Sequence, residues 1–159
     1  MQVQIATLGR MAGIQVLPVP YRGTPPTITD VLGGRLDATL LDPANALTNV
    51  NGGQMRALGV TSLGRNPLTP DWPAISETLA GFDFSTWTAF VGPRGMPRDA
   101  VDRMNAALAT ALRKKEVSDR MEQIGFVPWF MSPDQLAAHI EAETTRWIAI
   151  AQEINIQPQ

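Results

Sequence analysis

An α/β fold with parallel strand pairing is the class this sequence predicts, and three observations carry it. Short apolar segments with β-branched residues alternate with helical patterns at close spacing. The first two such segments each end at a good helix start, Thr24-Pro25 and then Asp42-Pro43. Glycine pairs, Gly33-Gly34 and Gly52-Gly53, close the helices that follow. Strands and helices alternating in this way pair in parallel through right-handed crossovers.

Residues 2–12 have the pattern of the end of a helix, and Ile14-Gln15-Val16-Leu17-Pro18-Val19-Pro20 follows as a strand. Thr24 serves as N-cap with Pro25 at the first helical position, and the helix runs through Ile28, Val31 and Leu32 to its glycine stop. Residues 37–41 form a second short strand. Asp42-Pro43 then opens a helix through Ala46, Leu47 and Val50, ended by Asn51-Gly52-Gly53 before a strand over 55–60. Between 61 and 82, Pro67, Pro70 and Pro73 with Gly64 and Gly81 forbid a long helix or a central strand. That segment is a connector with a short helix over 74–79. A strand over 84–91, a turn at Gly92-Pro93-Arg94-Gly95, and a helix opened by Pro97 with a buried stripe of Val101, Met104, Leu108 and Leu112 come next. A short helix over 117–124 stops at Gly125, and residues 126–130 are an apolar strand. Ser132-Pro133-Asp134-Gln135 is a capping box for a last helix to about Glu153.

At 159 residues with 44% apolar content, the chain suffices for one ordinary domain or two small lobes with a real core. Thirteen basic residues against fifteen acidic ones leave a formal charge of -2 without long blocks of either sign, so neither nucleic acid nor an acidic membrane surface is expected as a main partner. The one basic cluster, Arg113-Lys114-Lys115, suits a helix C-terminus. Cysteine is absent, which excludes disulfides, zinc-thiolate sites and a thiol nucleophile. No apolar run approaches the roughly 20 residues of a membrane span. The N-terminus lacks a charged start and an apolar signal core, so no export signal is expected in the chain as written.

Enzyme constellations fail by inventory. The single histidine, His139, sits mid-helix among Ala137, Ala138 and Glu141 and reads as a surface residue, with no glycine-flanked serine elbow to serve. Gly92-Pro93-Arg94-Gly95 is neither a phosphate loop nor a dinucleotide fingerprint, and Glu141 and Glu143 are two apart on a helix and do not face each other. No catalytic residue, metal or cofactor is expected.

Ligand capture remains. Helix N-termini at the carboxyl ends of parallel strands present unpaired N–H groups to small anions, and residues 21–25 and 42–44 occupy such positions on one side of one expected sheet. Gly23 permits close backbone approach, Thr24 supplies a hydroxyl, and Tyr21 offers an aromatic wall with a polar tip. Both Thr24-Pro25 and Asp42-Pro43 serve equally as ordinary helix starts. In a cleft, Asp42 accepts from a ligand hydroxyl, ammonium or water. Arg22 is either a bidentate carboxylate clamp or a solvated loop residue, and Trp87 is either core or cleft wall. Trp72, Trp129 and Trp147 read as packing residues.

Val19-Pro20-Tyr21-Arg22-Gly23, Leu32-Gly33-Gly34-Arg35-Leu36-Asp37, Gly53 through Ser62, and Trp87 with Gly92-Pro93-Arg94-Gly95-Met96-Pro97 and Met104-Asn105-Ala106-Ala107-Leu108 occur in that order. Together they resemble the tripartite tricarboxylate transporter substrate-binding receptors, the Bug or TctC family, over nearly the whole chain. The resemblance implies a periplasmic-binding-protein type II-like (venus flytrap) receptor, not an enzyme, that closes on a small carboxylate and delivers it to a membrane permease. It implies that the loop over 21–25 and Asp42 lie at the cleft on the second lobe, and Tyr21, Arg22, Gly23, Thr24, Asp42 and Trp87 are the expected ligand-binding residues. The family commonly has Asp-Asn where this chain has Asp42-Pro43, a departure that removes a polar neighbour.

Set against the family pattern, the chain corresponds to the C-terminal half of a receptor. Residues 1–82 are expected to be most of the second lobe and 83–159 the returning part of the first. First-lobe glycine-rich loops are not represented. Strands over 84–91 and 126–130 would then lack sheet partners, and another protein chain, a second copy or a different subunit, is expected to cover them. The location implied by the family is periplasmic, and cytoplasmic if Met1 is the native start. Beside the receptor reading stands an alternative, a half-receptor recruited as an accessory or scaffolding subunit of a larger complex.

Overall fold

The computed structural model describes residues 2–154. Six helices carry them: α1 (Gln2–Ala12), α2 (Thr24–Leu32), α3 (Pro43–Asn51), α4 (Arg98–Leu112), α5 (Lys115–Gln123) and α6 (Pro133–Glu153), with one 3-10 turn at Ile75–Glu77. The chain divides into two compact units, Met1–Ser85 and Thr86–Gln159.

Caps explain most helix boundaries. The Asp42 carboxylate accepts the Asn45 N–H at 3.0 Å and heads α3, with Pro43 in its first turn. At α6, Ser132 Oγ accepts from the Gln135 N–H at 3.2 Å while Gln135 Oε1 accepts from the Ser132 N–H at 2.9 Å, the expected reciprocal box. α2 differs by one residue. Its cap is Gly23, at φ 97 and ψ 175 with no side-chain cap, and Thr24 is already helical. α5 starts two residues before the expected position and ends at Gln123. Gly34, Gly53 and Gly125 take positive φ just beyond the helices they terminate.

The expected sheet is not formed among the described residues. Segments 14–20, 37–41, 84–91 and 126–130 carry no strand, and 55–60 contributes only an isolated parallel bridge, Val60 to Ala74. Several of their apolar residues face outward, Leu17 being 87% exposed, Val91 81% and Phe90 77%, while Phe84 is buried. A helix satisfies its own backbone, whereas a parallel strand depends on neighbours from elsewhere in the chain. Alternation and β-branching signal the wish to pair but say nothing of whether a partner is at hand.

In the first unit the connector, expected to be a link, holds the core. Ala74, Phe82 and Phe84 are buried, and the two phenylalanine rings meet at 4.9 Å, tilted by 57°. The Val60 N–H donates to Pro73 O at 2.8 Å, the Ile75 N–H to Val60 O at 3.0 Å, and the Phe84 N–H to Thr61 O at 2.7 Å. Gln4 of α1 reaches Phe84 O at 3.4 Å. The short helix expected over 74–79 contracts to the single 3-10 turn. Arg65 closes this region by gripping both Glu77 oxygens, at 2.7 and 3.0 Å, while Glu77 Oε1 also accepts the Ala74 N–H at 2.9 Å.

In the second unit α4 turns Val101, Asn105, Leu108, Ala109 and Leu112 inward, with Ala109 buried. Met104, expected on that stripe, is 53% exposed, because the buried face is centred one position further round the helix. Asn105 Nδ2 donates to Met131 O at 2.9 Å, and Arg98 meets both oxygens of Asp134 at 2.9 and 3.3 Å. These pairs tie α4 to the start of α6, the exposed ion pair adding little energy.

Glu77 yields a pH prediction. Its bonds from Arg65, then from the Ala74 N–H, lower its pKa from 4.5 to about 2. A depressed carboxylate stabilises the fold above the unfolded-state pKa, and that contribution is lost as pH falls through the folded one. The unfolding midpoint of the wild type should therefore fall relative to that of Glu77→Gln between pH 4.5 and 2. Parallel midpoint curves across that window would refute the assignment.

Candidate functional site

The turn that leads into α2 is built from Tyr21, Arg22 and Gly23. Gly23 sits in a backbone region almost confined to glycine, which swings the chain from the preceding segment into the helix. The space around a Cβ there is nearly open, with the Pro25 ring at 3.9 Å, so conformation and not crowding demands the glycine. Thr27 Oγ1 donates to Gly23 O at 3.1 Å, one turn on. Pro25 and Pro26 follow Thr24, so two of the first helical positions have no N–H to offer. The donors left at this helix head are accordingly fewer than an ordinary helix start provides: the Gly23 and Thr24 N–H groups and the Thr24 hydroxyl. Arg22 is exposed beside them.

Tyr21 is committed. Its hydroxyl donates to Asp30 Oδ2 at 2.6 Å, and Arg35 Nη1 donates to Asp30 Oδ1 at 2.8 Å. The bond to Asp30, then desolvation and the Asp30 charge, raise the phenol above its usual 10. The same bond, then that from Arg35, lowers the Asp30 carboxyl below its usual range. Asp30 was not singled out from sequence. It stands nine residues after Tyr21 and five before Arg35, and no local spacing rule links residues so separated across a helix end.

Asp42 acts as a cap. One oxygen takes the Asn45 backbone N–H and the other takes Asn45 Nδ2 at 2.6 Å. Partial burial pushes its pKa up, but the Asn45 side-chain and backbone bonds outweigh this and the net shift is downward. Such a cap is worth about 1 kcal/mol. With the sheet not formed among the described residues, the expected common edge carrying both helix heads is absent, and each head stands on its own local geometry.

Trp87 belongs to the second unit and meets a cluster that sequence reasoning missed. His139, read as a surface residue, lies between Trp87 and Trp129, each ring centroid 5.1 Å away and edge-on. Its Nε2 is buried and has no hydrogen-bond partner. One turn along α6, Glu143 accepts from Arg146 at 3.1 Å and from Trp147 Nε1 at 3.2 Å, and Trp87 also bonds to it. Burial raises the Glu143 pKa, but these bonds together bring it below the ordinary value. The i, i+4 spacing of His139 and Glu143 was visible, but their aromatic neighbours come from residues 87 and 129. Trp129, expected to pack, keeps 62% of its surface exposed. Among the described residues no three His, Cys, Asp or Glu side chains are grouped to hold a metal, and no helix is long and apolar enough to cross a membrane.

Residues 1–156 match the model of the family described as "Tripartite tricarboxylate transporter family receptor". The "UPF0065 protein in tcbD-tcbE intergenic region" of a Pseudomonas species is 37% identical over 144 residues, covering 89% of this chain and 43% of that protein. An R. palustris protein solved with adipate superposes with a TM-score of 0.87 at 28% identity, over 99% of this chain and 53% of that one. MatC from Rhodopseudomonas palustris with bound malate gives a TM-score of 0.74 at 28% identity, over 94% of this chain and 52% of its own. The chain thus spans about half the length of these relatives, and it follows the backbone path of a periplasmic binding protein even where no ladder pairs its segments.

Gly23→Ala should destabilise the first unit by about 1–3 kcal/mol, the cost of placing an L-residue in that backbone region. Urea unfolding checks this. A loss near zero would mean that the turn relaxes to an ordinary conformation.

Proposed function

The chain belongs to the tripartite tricarboxylate transporter receptor family, and from that premise we propose that it binds a small organic carboxylate at the head of α2 as a solute-binding receptor or part of one. The observation that carries this reading is the match, over 99% of its length, to the backbone of a relative solved with adipate; the malate complex of MatC adds support. The family is one of transport receptors and not of enzymes.

In this reading the Arg22 guanidinium takes the ligand carboxylate in a two-pronged bond, and the Gly23 and Thr24 N–H groups with the Thr24 hydroxyl complete its shell. Asp42 keeps lone pairs beyond its Asn45 bonds and accepts from a ligand hydroxyl or a bound water. Trp87, in the second unit, stands as a separate candidate contact. Residues 1–82 take the part of the second lobe and 83–159 that of the returning first lobe. The protein works in the periplasm and hands its ligand to a membrane permease, the setting of its family.

Titration calorimetry of the folded chain with adipate and with malate should give saturable heat. Arg22→Ala should weaken the binding roughly tenfold or more, as loss of a charge-assisted bond requires. Absence of heat from both acids with an intact fold would remove the ligand reading.

A second reading has its own observation. Outward-facing Leu17, Phe90, Val91 and Trp129 favour a protein partner laid over these segments, as for an accessory or scaffolding subunit. Light scattering should then find an assembly larger than one chain, or copurification should find a partner. A stable monomer that captures none argues against it.

A further inference from the structure

Asp30 contributes no ligand contact in the proposed function, yet both flanks of α2 meet on it. Tyr21, before the helix, donates its hydroxyl to one carboxylate oxygen, and Arg35, after the helix, donates to the other. The Asp30 backbone oxygen also accepts the Arg35 and Leu36 N–H groups, at 2.8 and 3.2 Å. An aspartate here is electrostatically misplaced, since the last turn of a nine-residue helix presents a partial negative charge. Helix propensity does not favour it either. Its presence fits a tether between the two flanks better than any service to the helix itself.

The head of α2 needs such a tether. Gly23 caps without a side chain and holds a conformation with high entropic cost, and Pro25 and Pro26 donate nothing. Of the turn's own bonds, the one from Thr27 Oγ1 to Gly23 O lies inside the helix start and does not restrain residues 21 and 22.

We infer that Asp30 is a positioning residue which holds the turn 21–24 in its donor-presenting shape by taking the proton of Tyr21 Oη into a hydrogen bond. This inference rests on the carboxylate-binding reading for its effect on affinity. It also changes what Tyr21 does. A phenol that gives its proton to Asp30 has none for a ligand carboxylate, so Tyr21 acts as a wall and an acceptor. The ligand's negative end is thereby steered to Arg22, Gly23 and Thr24, while Arg35 offsets the Asp30 charge nearby.

Tyr21 is the one tyrosine of the chain, which makes the tether directly observable. In Asp30→Asn the tyrosinate absorbance should rise at lower pH than in the wild type, because the ionic acceptor that resists phenol ionisation is gone. The amide order parameters of Arg22, Gly23 and Thr24 should fall from the rigid range of about 0.85 to below about 0.6 in that variant and in Tyr21→Phe, with helix content by circular dichroism unchanged. Affinity for adipate and malate should fall alongside. Unchanged titration or unchanged order parameters in a folded Asp30→Asn would overturn the tether. Lower order with unchanged affinity would overturn its bearing on binding. If the wild type binds neither acid, the ligand reading fails by itself, and titration and order parameters still decide for or against Asp30.

Discussion

A backbone amide taken from water must find a partner, and where that partner lies in the sequence governs what this chain can build. Helices find it four residues away, so α1 to α6 form, including those without a side-chain cap. Segments patterned as parallel strands need neighbours from distant parts of a chain, and among the described residues the links of Val60 to Pro73 and Ile75 and of Phe84 to Thr61 are short and isolated. Every larger feature follows from this asymmetry. Buried apolar side chains concentrate where those links exist, around Ala74, Phe82 and Phe84, whereas Leu17, Phe90 and Val91 of the unpaired segments stay in solvent.

That same asymmetry divides what the sequence could disclose from what it could not. Asp42-Pro43, the Ser132 and Gln135 box and the glycine stops were legible because each is a contact between residues at most four or five apart. Gly23 for Thr24 at the head of α2 is the instructive near miss. Both residues are acceptable caps and prolines follow both, but only glycine tolerates the positive φ that the preceding segment imposes. His139 escaped for another reason. Helical periodicity places it on a face, and only the fold brings Trp87 and Trp129 to that face. Asp30 lies furthest from any local rule, since its role depends on a side chain reaching back along the outside of its own helix.

Family membership came from the order of several motifs, a signal that does not depend on strand pairing. It survives in the backbone path, which follows the relative solved with adipate at a TM-score of 0.87 although the ladders are not formed. Path and pairing are separate properties of a chain. The first is set by turns and helix ends, which are local here; the second is set by the company a segment keeps. A half-length match can therefore be high in path while the pairing of its segments is missing among the described residues.

At the head of α2 these considerations converge on a single compromise. A cap with a side chain, as at α3, spends its acceptor on the helix's own N–H groups and holds the turn rigid; the Asp42 carboxylate illustrates it. A glycine cap leaves those donors open to a ligand but gives up both the acceptor and the rigidity. Order has to be restored from outside the donor set, or the ligand must supply it on binding at the expense of affinity. Tyr21 and Asp30 meet this requirement without occupying any donor that an anion would use. The misplaced aspartate and the left-handed glycine are then two parts of one arrangement, each costly alone and each made tolerable by the other.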